Sequence, residues 1–152
     1  MGAGNPRWRC QFRFAGGVVG RGCLTLDVSR HQHMQLEGFK FDDIYLETPS
    51  EKFDLHNCFD FTGFAYDVSA RMISLRWIPN EYAKAGEKRR ILLEFHGVSH
   101  FSYEPRKPDM PFTEDTCLSS VWCEPASDDY IFQFMSGFTL RVNGERARWR
   151  LE

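Results

Sequence analysis

Arg146-Ala147-Arg148-Trp149-Arg150-Leu151 alternates basic and apolar residues one by one, and the same alternation stands near the other end, where Trp8, Cys10, Phe12 and Phe14 are interleaved with Arg7, Arg9 and Arg13. A repeat of two is the β-strand repeat, because successive side chains leave a pleated backbone on opposite faces. Each stretch therefore reads as a strand with one apolar face and one arginine face. Immediately before the C-terminal stretch stands Asn143-Gly144, a pair that favours the positive dihedrals of a type I′ hairpin, so residues 138–143 and 147–151 are expected to pair as one.

Working outward, the same period recurs. Ile73, Leu75 and Trp77 alternate with Ser74 and Arg76, and Phe64 and Tyr66 precede them across a turn at Asp67–Arg71. Residues 91–103 form the longest strand candidate; Ile91, Leu93 and Phe95 share one parity and Val98 does not, so a bulge is expected at Gly97. Residues 23–28, with Leu24, Leu26 and Val28 on one face, return from a glycine-rich connection at 15–22. Residues 30–35 read as a polar turn. The change of parity between Phe41 and Ile44 places a bend at Asp42 and Asp43. Residues 117–123 and 130–135 complete the strand set, three prolines at 105–111 impose a surface loop, and only residues 80–90 carry helix-forming composition, interrupted by Gly86. The expected fold is mainly β: one antiparallel domain over residues 1–152, a sandwich, a barrel or a curled sheet, with at most one or two short helices. Its core is expected to hold Phe12, Phe14, Leu26, Phe61, Leu75, Trp77, Leu93, Phe95, Phe134, Leu140 and Trp149.

A chain of 152 residues, 42% hydrophobic and 15% aromatic, suffices for one sizeable core. No stretch approaches the roughly 20 apolar residues of a membrane span, and the N-terminal residues show no apolar signal-peptide region. The five cysteines are odd in number and widely spaced. A reduced, cytoplasmic location without membrane attachment is the expectation.

Chemistry-bearing motifs are sparse. His31-Gln32-His33, His96 and His100 invite a metal reading that Cys58, His56 or Glu94 would have to complete, yet no Cys-x-x-Cys pair or His-Glu-x-x-His motif is present, and neither metal nor other cofactor is expected. Ser99 is not embedded in a Gly-x-Ser-x-Gly elbow, and Cys58 with His56 is a thiolate pair only if the strand between them is regular. The glycines at 16–22 lack the lysine and helix of a phosphate loop. The arginine ladders at the two ends place their tryptophans on the opposite face, away from any base, which argues against nucleic acid as partner.

Charge is more informative. Between positions 109 and 140 there is no Lys or Arg, while Asp109, Glu114, Asp115, Glu124, Asp128 and Asp129 are acidic. A surface of one sign steers a partner of the other. The functional expectation is a non-enzymatic protein-binding module that meets a basic partner through Asp109, Glu114, Asp115, Asp128 and Asp129, with Trp122 and Tyr130 as aromatic anchors. An immunity protein that neutralises a nuclease-type toxin domain does such a job. The alternative is a small-ligand-binding or hydrolytic β-barrel with a pocket lined by aromatic residues and histidine.

Overall fold

The computed structural model describes residues 33–85 and 88–152, which belong to one compact unit, His31–Glu152. The first arginine-faced strand, the connection at 15–22, the strand at 23–28 and the core positions Phe12, Phe14 and Leu26 lie outside the described residues. The described residues form β1 (Gln35–Leu36), β2 (Lys40–Asp42), β3 (Tyr45–Glu47), β4 (Lys52–Asp54), β5 (Phe59–Asp67), β6 (Met72–Pro79), β7 (Ile91–His96), β8 (His100–Glu104), β9 (Leu118–Cys123), β10 (Tyr130–Phe134), β11 (Thr139–Asn143) and β12 (Arg146–Leu151), with a 3-10 turn at Phe112–Asp115. The fold is mainly β, as the alternation implies. No helix among the described residues is long and apolar enough to cross a membrane.

Three sheets are built, in the orders β1-β12-β7-β6-β5, β8-β11-β10-β9 and β2-β3-β4. Pairing is antiparallel except between β1 and β12, so Gln35, expected in a turn, instead starts a short parallel edge beside Arg146. The bend at Asp42 and Asp43 is a tight hairpin turn between β2 and β3, with Asp43 in the left-handed region at φ 54°. Residues 80–85 form a turn in which the Asn80 side chain accepts the Tyr82 amide at 3.0 Å.

Two expectations are corrected at one place. Residues 91–103 do not make a single bulged strand, and Asn143-Gly144 does not make a hairpin: β7 and β12 pair in the five-stranded sheet, while β8 and β11 pair in the four-stranded one. The two strands run side by side as a ribbon and turn the same corner together. Gly97, at φ 61°, turns one strand. Gly144 turns the other, and a Cβ there would stand 2.9 Å from the His96 carbonyl oxygen. The corner is stitched by Ser99 N to Asn143 O at 3.1 Å, Glu145 N to His96 O at 3.0 Å and Ser99 Oγ to Asn143 Oδ1 at 2.8 Å. Asn143 and Gly144 thus bind the neighbouring strand across the corner, and long-range pairing overrides the local turn preference.

The five- and four-stranded sheets pack face to face through rings: Phe61 lies 4.5 Å from Phe134, Phe95 5.9 Å from Phe132 and Trp77 6.3 Å from Phe132, centroid to centroid. Phe61, Leu75, Trp77, Leu93, Phe95, Phe134 and Leu140 are buried as their parity requires. Trp149 is only half-buried, packed against Phe53 of β4 at 5.6 Å. The small β2-β3-β4 sheet contributes Leu46 and Phe53 to the same core. On the opposite face of β12 the arginines are ion-paired, Arg148 Nε to Glu37 at 2.5 Å and Arg150 to Glu94 and Glu152 at 3.4 Å each.

Candidate functional site

Among the described residues β5 and β8 each stand at one edge of their sheets. They lie alongside one another through side chains, Tyr66 against Phe101 at 4.5 Å and Phe64 against Tyr103 at 6.2 Å. At the start of β5 this seam widens. A register shift between Phe61 and Gly63 makes Thr62 an extra residue, with its hydroxyl donating to the Arg76 carbonyl at 3.2 Å, and Gly63 takes φ 131°, which a side chain would disfavour. On the far side Pro105 carries the chain away from β8, and the 3-10 turn returns it so that Thr116 O accepts the Phe61 amide at 2.9 Å. The result is an open groove of about 580 Å³. Phe61, Phe64, Tyr103 and Phe138 supply its apolar surface, and Thr62, Thr116, Arg106 and Asp115 its polar groups.

The polar groups are already committed. Arg106 Nε donates to Asp115 Oδ1 at 2.8 Å, its guanidinium covers the Phe112 ring at 4.5 Å, and it also donates to the Met110 carbonyl. That hydrogen bond holds the Asp115 carboxyl below its usual range against partial desolvation. Thr116 Oγ1 donates to Thr113 O at 3.0 Å. Among the described residues no histidine lines the groove, whose apolar lining is aromatic.

One flank, the 3-10 turn, carries Glu114 and Asp115. Burial first, then the charges of Glu114, Asp60 and Asp54, push the Cys117 thiol up. Amides rather than cations meet two of them: Asp54 accepts from the His56 and Asn57 amides at 3.1 and 2.9 Å, and Asp60 from Asn80 Nδ2 at 3.5 Å. The Cys58 thiol and the His56 ring, the pair that a regular strand would have required, meet different partners. Cys58 Sγ donates to Tyr82 O at 3.7 Å, and His56 Nδ1 lies 3.4 Å from Cys117 Sγ and 2.5 Å from the Leu118 carbonyl. A carbonyl only accepts, so Nδ1 carries the proton and cannot take one from the thiol. No group of three or more His, Cys, Asp or Glu among the described residues is placed to hold a metal ion.

Comparison with protein families, curated proteins and solved structures finds no match to this chain.

The acidic residues singled out in the sequence fall into two groups. Glu114 and Asp115 sit on the 3-10 turn beside the groove, and Asp109 is exposed on the loop before it. Asp128, Asp129, Tyr130 and Trp122 lie at the other end of β9 and β10, where Cys123 pairs with Tyr130; the first end pairs Leu118 with Phe134. Five residues of strand separate the ends, roughly 16 Å at the usual rise. Asp128 and Asp129 are 8% exposed, and Asp128 is paired with His33 Nδ1 at 2.8 Å. Trp122 is 38% exposed; Tyr130 is half-buried, its hydroxyl pushed up chiefly by burial. The groove residues Phe64, Tyr103 and Phe138 were not singled out in the sequence, because their strands alternate like core strands.

Proposed function

We propose that this chain is a non-enzymatic binding domain that takes a basic protein partner, seating an apolar side chain of that partner in the aromatic groove between β5 and β8. The observation that carries the reading is the groove itself: four aromatic residues around about 580 Å³, with Asp115 in the lining and Glu114 next to it on the 3-10 turn. Protein interfaces concentrate their energy in an apolar centre with a charged rim, and acidic rim groups accelerate the encounter with a basic partner. Of the residues expected to meet such a partner, Asp115 lines this groove and Glu114 adjoins it on the 3-10 turn. Neutralisation of a basic, nuclease-type toxin domain in the cytosol is the biological task we assign to it. The free thiols of Cys117 and Cys123 suit that compartment.

The test uses fluorescently labelled arginine-rich peptides that carry one Leu, Phe or Trp. Saturable binding should weaken about tenfold or more in Tyr103→Ala, whose side chain is 60% exposed and so dispensable for folding. Glu114→Lys should slow association at low salt. Equal affinity for the parent and Tyr103→Ala, or for peptides with and without the apolar residue, overturns the reading. The size of the groove also falls within the range of small-molecule sites, which favours an apolar small ligand as the second reading. A neutral ligand would bind with no dependence on salt and no effect of Glu114→Lys.

A further inference from the structure

We propose that the outer face of the five-stranded sheet carries a binding site for a phosphate-type dianion, held between the guanidinium groups of Arg76 and Arg90. The side chain of Trp77 turns inward onto Phe61 at 5.1 Å, so its neighbours Arg76 and Ile78 project outward. Arg90 and Glu152 extend the β7–β12 ladder by one more bonded pair, Arg90 N to Glu152 O at 3.1 Å and Glu152 N to Arg90 O at 2.9 Å. This places Arg90 beside Arg76 at the end of the sheet. Together with Thr62, Ile78 and Glu152 they line a cleft of about 320 Å³.

What separates this cleft from an ordinary solvated face is the pairing state of its cations. Arg71 donates to the Gly97 and Val98 carbonyls, Arg106 to Asp115, Arg141 lies against Glu104, Arg146 and Arg148 against Glu37, and Arg150 against Glu94 and Glu152. Among the described residues the Arg76, Arg89 and Arg90 side chains have no carboxylate partner of this kind, and of these Arg76 and Arg90 open into the same cleft. Thr62 already gives its proton to the Arg76 carbonyl, so the donors left for a ligand are the two guanidinium forks. Two forks offer paired N–H groups to different edges of a tetrahedral oxyanion, the geometry in which arginine binds phosphate best. The cleft's own carboxylate, Glu152, opposes the ligand and is drawn off by Arg150 at 3.4 Å.

The site is independent of the groove reading, although Thr62 borders both. The experiment follows the arginine Nε–Hε resonances of the protein during titration with inorganic phosphate, at constant ionic strength maintained with chloride. Saturable shifts are expected at Arg76 and Arg90. Arg76→Gln and Arg90→Gln should each weaken binding about tenfold or more, since each removes a charge-assisted contact. Glu152→Gln should tighten it, and the ion-paired Arg148→Gln and the groove variant Tyr103→Ala should leave it unchanged. A parallel titration with adenosine monophosphate separates the sources: tighter binding than inorganic phosphate assigns an organic phosphate ester, equal binding the free ion. Shifts that do not saturate, or that persist in the Arg76→Gln/Arg90→Gln double variant, overturn the proposal.

Discussion

Phe95 is fully enclosed, with the Phe132 ring set edge-on to it at 5.9 Å and 81°. Truncating a buried phenylalanine leaves a cavity that the sheets cannot close and typically costs about 3–5 kcal/mol. Phe95→Ala should accordingly lower the melting temperature by roughly 10–20 °C, whereas Tyr103→Ala should shift it by only a few degrees. A Phe95→Ala protein that melts with the parent would show that β7 does not turn this face inward. Phe95, Leu93, Leu75 and Trp77 were legible in the sequence because period-two alternation assigns a face. The same rule is silent on the groove. Phe64, Tyr103 and Phe138 alternate just as core residues do, and they line an open seam only because β5 and β8 are sheet edges, a fact that strand order decides and local sequence does not.

At the scale of elements, the β2-β3-β4 sheet is short and held by charge as well as by Leu46 and Phe53. Glu47 lies opposite Lys40 on one side and Lys52 on the other, with ammonium groups at 2.8 and 2.5 Å. The hydrogen bonds from Lys40 and Lys52 bring its carboxyl down to about 2 from the ordinary 4.5. A carboxyl depressed by folding stabilises the native state above its unfolded value, and that contribution fades as pH falls toward the folded value. The stability gap between the parent and Glu47→Gln, measured by denaturant unfolding, should therefore be full at pH 6 and close between pH 4.5 and about 2. A gap unchanged at pH 2 would mean that the pairs contribute through packing alone. The bend of this region at Asp42 and Asp43, the β5–β6 hairpin and the four C-terminal strands were legible as elements. Their connection at Asn143-Gly144 was not, because a two-residue preference is weaker than the ladders on either side, which send β11 and β12 into different sheets.

At the scale of the described unit, a net charge of −2 for the chain hides two surfaces of opposite sign. Glu114 and Asp115 stand on the 3-10 turn at the aromatic groove, and Arg76 and Arg90 stand in the cleft on the other side of the Thr62 bulge. The acidic run between positions 109 and 140 was legible, but folding divides it, since β9 and β10 carry its two halves to opposite ends and bury Asp128 and Asp129. In the reading proposed above, partner recognition is thereby concentrated at the groove. The most direct test maps backbone amide shifts during titration with an arginine-rich peptide that carries a single Trp, at two salt concentrations. The account predicts saturable shifts centred on Thr62, Gly63, Phe64, Tyr103 and Thr116, with affinity falling as salt screens the acidic flank. Shifts centred instead on Trp122, Asp128 and Asp129, or no saturable shifts at either salt concentration, would contradict it.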